Sequence, residues 1–191
     1  MDQGLNWLVA KDINGLAGHF VLAGGLMSAA ASDLIFLVVL GAALWWFLPL
    51  ARDVGKSAAL AAAGAVVVGQ VVNLAIGHVI DVPRPFIVHP QQVILLVQAA
   101  HDSSFPSDHA TAAFSVAATA LLRAMPGRWP LLAAALLIAF ARVYVGAHDP
   151  LDVIAGAVLG TLWATVFLRV DARLQAHYLR AIAIARRLRL A

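Results

Sequence analysis

Cysteine is absent from this 191-residue chain. There is thus no disulfide framework, no thiolate metal site and no thiol nucleophile. Charge is also scarce. Only 12% of residues are Asp, Glu, Lys or Arg, against 62% hydrophobic ones, and the mean hydropathy is +0.88. A soluble domain carries about 25% charged residues, so this composition implies an integral membrane protein. The formal charge is +3 and the pI about 10.0. However, the basic residues sit at the ends of apolar segments rather than on one face interleaved with aromatics, which argues against nucleic acid as a partner. Residues 1–11 have no basic region leading into an apolar run, so no secretory signal is expected there.

What is present is a series of long apolar stretches. Five are expected to span: 34–50, 57–80, 108–125, 129–147 and 150–170. Residues 1–31 are expected to add an interfacial helix or a sixth span. The piece 15–31 is Gly-rich and short, and a tilted or interfacial helix suits it better than a full crossing. Trp45, Trp46 and Phe47 close the first span as an aromatic belt would. Gln70 and Asn73 are polar inside the second and should face other helices. The interruption 81–107 holds Pro83, Pro85 and Pro90, with a short apolar piece at 93–97 expected to lie in the interface. Gly156 and Gly160 form a GxxxG pair that reads as close helix packing. The whole chain is read as one all-α membrane domain ending in a basic tail, 171–191, suited to an anionic leaflet.

Lys and Arg in short loops set the orientation. Arg52 and Lys56, Arg123 and Arg128, and the Arg-rich tail fall on one side, taken as cytoplasmic. Residues 81–107 and 147–150 then lie outside, on the external or periplasmic face.

That face collects the residues that carry chemistry. In 105–110, FPSDHA, Ser107 is placed as the N-cap of a helix, whose first-turn amides and dipole suit a phosphate. His109 lies in that first turn and can act as general acid. In 141–152, ARVYVGAHDPLD, Pro150 opens a helix. Asp152 stands four residues beyond His148, close enough to orient its ring and leave the other nitrogen free to attack. Arg142 sits near the end of the preceding span, costly there unless an anion is bound. Arg84, stiffened between Pro83 and Pro85, offers a planar fork for phosphate oxygens. Together these residues read as a phosphoryl-transfer site: His148 as nucleophile, His109 as acid and later base, the two Arg and the helix amides holding the equatorial oxygens. The scheme calls for no metal and no cofactor.

Each residue also admits a plainer role. Arg84 and Arg142 could anchor lipid headgroups, His148 and Asp152 could be a structural pair, and Ser107 a cap alone. His78, His89 and His101 read as structural or solvated. A second class remains open on the residues alone: His101, Asp102, Asp108, His109, His148, Asp149 and Asp152 could ligate a divalent metal. No helix spacing such as HExxH supports it, and two Arg would repel a cation. A transporter or a haem bundle would place its polar residues at mid-membrane or on facing spans, which is not the pattern here.

At these positions the chain resembles the type-2 phosphatidic acid phosphatase superfamily of membrane lipid phosphatases, whose pattern is KxxxxxxRP, PSGH and SRxxxxxHxxxD. Arg142, His148 and Asp152 meet the third part, Pro106, Ser107 and His109 the second, and Arg84 with Pro85 the first. The departures are Gly77 at the Lys position, Asp108 at the Gly position and Ala141 at the Ser position. His78, beside Gly77, is a candidate to replace part of the lost charge. Asp108 could bond an Arg or orient His109. The FPSDHA form and the ARVYVGxHxPLDV form look most like the bacterial undecaprenyl-diphosphate phosphatase branch. That resemblance implies a helical bundle in the bacterial cytoplasmic membrane and metal-independent hydrolysis of a polyprenyl diphosphate through a phosphohistidine. It further implies Arg84, Arg142 and Ser107 on phosphate, His109 as acid, His148 as nucleophile and Asp152 as its partner. Phosphatidylglycerol phosphate, phosphatidic acid or lipid A are the alternative substrates within the class.

Overall fold

A computed structural model describes residues 4–19, 21–48, 52–98, 101–170 and 180–188. Among these the secondary structure is helical throughout, with no strand. The helices in chain order are α1 (Leu5–Gly15), α2 (Val21–Ser32), α3 (Leu34–Leu44), α4 (Arg52–Ile80), the single turn α5 (Pro85–Val88), α6 (Asp108–Leu122), α7 (Arg128–Tyr144) and α8 (Pro150–Arg169), with a 3₁₀ turn at Leu16–Gly18. Residues 180–187 form a further helical stretch whose Ile182 is buried. Residues 171–179 and 189–191 of the basic tail lie outside the described residues.

α6 is the central helix. Ten of its residues are buried, most of them Ala, Ser and Thr, and α3, α4, α7 and α8 surround it. A helix shielded from lipid on most sides need not be strongly apolar, and small side chains let its neighbours come close. Gly156 and Gly160 make the tightest approach. A Cβ at Gly156 would meet the Ser107 carbonyl oxygen and Ala110, and one at Gly160 would collide with the Thr111 carbonyl oxygen. The GxxxG pair is therefore the seam along which α8 lies on the α6 backbone. Ser115 Oγ shares that seam, donating to the carbonyls of Thr111 at 2.8 Å and Gly160 at 3.3 Å.

Several span boundaries differ from the sequence expectation. By length and composition two segments among the described residues can cross a membrane, Val54–Val88 and Pro150–Arg169, with α2 and α3 together a third, bent by 45° at their junction. The apolar stretch 34–50 thus begins as the second half of this bent pair, because the helix restarts at Leu34 after a break at Asp33. α4 begins at Arg52, so the expected charged loop is its first turn. α6 and α7 are 15 and 17 residues long, shorter than the roughly 20 that an apolar crossing needs. α6 stops because the chain turns at Arg123–Gly127, where Gly127 takes φ 80°. Residues 93–97 form no helix, and Leu96 N–H donates to the Val145 carbonyl at 3.2 Å.

The N-terminal segment is tied into the bundle rather than lying apart from it. α1 packs on α7 and α8. Asn14 Nδ2 donates to the carbonyls of Tyr144 at 2.8 Å and Ile94 at 2.9 Å, while its Oδ1 accepts Ile94 N–H at 2.8 Å. Asn6 Oδ1 accepts Leu151 N–H at 3.0 Å, and Tyr144 Oη donates to the Leu16 carbonyl at 3.2 Å. His89, expected in solvent, instead stacks on Trp7 with ring centroids 3.7 Å apart. These contacts brace the turn after α7, where Gly146 takes φ 76° against Val93, Ile94 and Asn14.

Candidate active site

Two helix N-termini, those of α6 and α8, meet at one end of the bundle. Ser107 N–H donates to the Asp152 carbonyl at 3.0 Å, which fixes one start against the other. The helix beginnings expose their first amides, since no preceding turn can accept them. Asp149 occupies the N-cap of α8 and Pro150 its first turn, and Asp152 Oδ2 accepts Asp149 N–H at 2.9 Å in a reciprocal capping box.

His148 lies just before this helix start, 2% exposed. Its Nδ1 is 2.9 Å from the Ser104 carbonyl oxygen, 3.3 Å from Ser104 Oγ and 3.4 Å from Asp152 Oδ2. A carbonyl can only accept, so Nδ1 carries the proton and Nε2 presents its lone pair. Arg84 Nη1 stands 3.2 Å from that Nε2 and also donates to the Ala147 carbonyl at 3.1 Å. The expected His148–Asp152 pairing is thus present at the longer distance, with Ser104 making the closer contacts. Ser104 Oγ donates a short hydrogen bond to Asp152 Oδ2. Burial pushes the His148 pKa below its ordinary value; Asp152 opposes this, while Arg142 and Arg84 reinforce it.

Arg84 is the N-cap residue of α5, buried, with extended backbone between its two prolines as expected. Its Nε and Nη2 both donate to Asp102 Oδ1, at 3.0 and 2.8 Å. Burial works against the charge on Asp102, but the Arg84 guanidinium holds its carboxyl below the usual value. Arg142, at the end of α7, is also buried. One of its nitrogens reaches the Ala31 carbonyl at 3.4 Å, and its Nε has no partner among the described residues. His109 is half-buried in the first turn of α6, and the charges of Arg142, His148 and Arg84 all act on it. The structure therefore brings Arg84, Arg142, His109, His148 and Asp152 to one end of the bundle.

Ser107 corrects one expectation. It stands at the N-cap position of α6, but its side chain makes no capping bond; the buried Oγ has no partner among the described residues. Asp108 finds an explanation in α4: Asn73 Nδ2 donates to Asp108 Oδ1 at 2.9 Å and to Thr111 Oγ1 at 2.8 Å, and Gln70 Nε2 to the Asp108 carbonyl at 3.0 Å. Asp108 is a tether between helices, and its charge also acts on Arg142. His78 is exposed on the last turn of α4 with Nδ1 2.8 Å from the Leu74 carbonyl, so it donates to its own helix. It borders a cavity of about 360 Å³ with Asn73, Gly77, Asp81, Asp102 and Asp108. At Gly77, where the family pattern has Lys, a Cβ would come within 3.2 Å of Ser103.

Several of the seven residues considered as metal ligands are engaged elsewhere. Asp102 holds Arg84, Asp108 holds Asn73, and Asp152 holds Ser104 and the α8 N-cap. No three His, Asp or Glu among the described residues converge in a metal-holding group. Ser104 was missed by sequence reasoning, and Asp102 was considered only as a metal ligand, not as a partner of Arg84. Their only signal is their place just before FPSDHA, on the loop that must fold back over His148.

Undecaprenyl-diphosphatase BcrC of Bacillus subtilis is 32% identical over 166 residues, 86% of this chain and 83% of that protein. The crystal structure of Aquifex aeolicus LpxE superposes with TM-score 0.70 at 27% identity, covering 88% of this chain and 97% of that one. A transmembrane PAP2-type phosphatidylglycerolphosphate phosphatase from Bacillus subtilis shares the fold with TM-score 0.65 at 22% identity, over 87% and 86% of the two chains. The PAP2 superfamily model matches residues 58–176, from the first turns of α4 past the end of α8. With its arginines and histidines gathered where α6 and α8 begin, this membrane-embedded helical chain belongs to the PAP2 superfamily.

Proposed function

We propose that the protein hydrolyses a polyprenyl diphosphate, of the undecaprenyl type, to the monophosphate and inorganic phosphate. The reaction proceeds through a phosphohistidine at the external face of a bacterial cytoplasmic membrane. The observation that carries this reading is the state of His148: Nδ1 is committed as a donor to the Ser104 carbonyl, and Nε2 is left unprotonated 3.2 Å from Arg84 Nη1. A buried imidazole held neutral, with its lone pair beside a guanidinium, suits attack on a phosphorus whose oxygens that guanidinium holds.

In the first step Nε2 forms a bond to the terminal phosphorus as the bridging P–O bond breaks. His109 gives its proton to the departing lipid phosphate. Arg84, Arg142 Nε, Ser107 Oγ and the first amides of α6 hold the equatorial oxygens, where charge accumulates in the transition state. In the second step water attacks the phosphohistidine. His109 takes the water's proton, the P–N bond breaks and phosphate leaves. Ser107 Oγ and Arg142 Nε support this assignment, because each is buried and lacks a partner among the described residues. Asp102 gives up part of its hold on Arg84 when phosphate arrives. His78, bonded to its own helix, is assigned no part in phosphate binding. The name of the Bacillus subtilis relative supports the lipid diphosphate.

Phosphate release from a panel of lipid phosphates by purified protein tests the assignment. Polyprenyl diphosphate is expected among the best substrates, and His148→Ala is expected to abolish turnover on all of them. A clear preference for phosphatidylglycerol phosphate or phosphatidic acid would reject the substrate while keeping the chemistry. Activity of His148→Ala within tenfold of wild type would remove it as nucleophile.

A further inference from the structure

We propose that Asp102 competes with phosphate for the Arg84 fork, and that its return to the guanidinium drives the cleaved phosphate out. Asp102 is thus a specificity-determining residue: it weakens the hold on free phosphate while a phosphate carried on a lipid still binds. This rests on the phosphatase reading of the site and deepens it.

A guanidinium carries five N–H groups, and the neighbours of Arg84 occupy most of them. Nη1 donates to the Ala147 carbonyl at 3.1 Å and stands 3.2 Å from His148 Nε2. Nε and Nη2 both donate to Asp102 Oδ1, at 3.0 and 2.8 Å. The paired donors of a guanidinium are what take two oxygens of a carboxylate or phosphate side by side. Phosphate therefore uses the Nε and Nη2 edge only if Asp102 yields it. Arg142 differs. It donates to the Ala31 carbonyl at 3.4 Å, its Nε has no partner, and no carboxylate among the described residues is hydrogen-bonded to it. One cation of the site is open to an anion and the other is contested.

Asp102 is placed to yield and to return. Its side chain is 62% exposed, against 8% for Arg84. Water takes up the carboxylate that lets go, whereas the buried guanidinium needs an anion or acceptor beside it. The backbone of the loop need not move. On one side of Asp102 the His101 ring lies edge-on to Phe86, centroids 5.6 Å apart. On the other, Ser103 Oγ accepts Val82 N–H at 3.1 Å and Ser104 N–H donates to the Val82 carbonyl at 2.7 Å. Both anchors grip the segment that carries Arg84, so rotation of the Asp102 side chain is enough to clear the fork. The cavity of about 360 Å³ that Asp102 lines with Gly77 and His78 gives the carboxylate room to turn.

A carboxylate tethered this close acts as a competitor at high effective concentration. Free phosphate has only its own charge and hydrogen bonds with which to displace it. A lipid diphosphate arrives anchored by its chain, and that remote binding offsets the cost of displacing Asp102. Once water has cleaved the phosphohistidine, the anchorage is gone and the returning carboxylate favours release.

Asp102→Asn keeps the shape and removes the charge. Inorganic phosphate, added as a competitive inhibitor of lipid diphosphate hydrolysis, should inhibit this variant about fivefold more tightly than wild type. The KM for polyprenyl diphosphate should fall, and kcat should not rise. An Asp102 that merely positions Arg84 gives the opposite sign, with weaker phosphate inhibition and a higher KM. That result overturns the proposal, and so does an unchanged inhibition constant. Asp102→Ala, which removes the contact as well as the charge, should shift phosphate inhibition in the same direction as Asp102→Asn and carries the measurement if the Asn variant does not fold. Failure of both to fold overturns the proposal too, because an exposed carboxylate that only contests an anion is not needed for folding. The premise is tested apart. Wild-type protein that releases phosphate from no lipid phosphate defeats the phosphatase reading and this inference together. Wild-type activity with weaker or unchanged phosphate inhibition in Asp102→Asn defeats this inference alone.

Discussion

The bundle has two ends built from the same helices and opposite in chemistry. At the His148 end α6 and α8 begin and α4 and α7 finish, and buried groups are held by named hydrogen bonds: Arg84 to Ala147, His148 to Ser104, Asn73 to Asp108. At the Trp45 end contacts are mostly apolar. Trp45 and Met125 are buried, Trp45 Nε1 donates to the Pro126 carbonyl at 3.2 Å, and Lys56 Nζ lies 5.7 Å from the centroid of the Trp46 ring. A cavity of about 620 Å³ there is lined by Val39, Trp46, Leu60, Val66, Val116 and Ala185. α4 and α6 reach both ends, so the fold alone does not create the difference. Helix direction contributes: two N-termini present amides and the positive ends of their dipoles at the His148 end. Side-chain choice supplies the rest. The comparison predicts that substitutions at the two ends separate into effects on chemistry and effects on stability.

The largest effect should come from His109→Ala. General acid catalysis is worth roughly 10²–10⁴-fold, so turnover of a lipid diphosphate should fall by about 10³-fold with thermal stability close to wild type. A substrate whose leaving group needs no protonation should recover much of that loss. Equal losses on both substrates would mean that His109 is not the acid. Next is Gly160→Val, on the seam between the two ends. The new Cβ would strike the Thr111 carbonyl oxygen, and backbone cannot move aside as a flexible side chain can. Overpacking of about 1–3 kcal/mol follows, read as a lower melting temperature in detergent, with specific activity of the folded fraction retained. A melting point equal to wild type would show that α8 can shift off α6. Trp45→Phe should be smaller, removing one partly buried hydrogen bond worth about 1 kcal/mol. It should leave kcat and KM unchanged, and an altered kcat would break the separation of the two ends.

The site was more legible in the sequence than the bundle around it. Arg84, His109, Arg142, His148 and Asp152 stood out because charged and titratable side chains at the ends of apolar runs need a reason to be there. Ser104 did not. A serine in a loop is unremarkable until the loop folds over an imidazole, and nothing local in 81–107 announces that. Ser107 was expected to cap from its type and place, yet its hydroxyl is turned away from that role. Asp108 looked anomalous only while its partner, Asn73, was 35 residues away in the chain. The short α6 and α7, and the bend between α2 and α3, were hidden for a related reason. Hydropathy marks which residues avoid water, but a helix enclosed by other helices avoids it without being long. The close seam, by contrast, was readable from Gly156 and Gly160, since only a missing side chain permits backbone contact.

The smallest effect sharpens the comparison most, because it asks whether the polar end gives up stability. Asp149 caps α8 beside His148. Burial, reinforced by the charge of Asp152, raises its pKa to about 6, and its Oδ1 has no partner among the described residues. The folded value lies above the unfolded value, so the contribution to stability is fully present below about pH 4. It fades as pH rises through about 6, where the half-buried carboxyl ionises next to Asp152. The protein should therefore lose thermal stability between about pH 4 and pH 7, beyond the change other groups produce. Asp149→Asn keeps the shape and removes the ionisation, so its melting temperature should vary less over that range and exceed wild type most clearly near neutral pH. Parallel curves for the two proteins would mean that Asp149 is ionised at no cost. The repulsion between the two carboxylates at the start of α8 would then be fully offset by the Arg residues and helix amides around them.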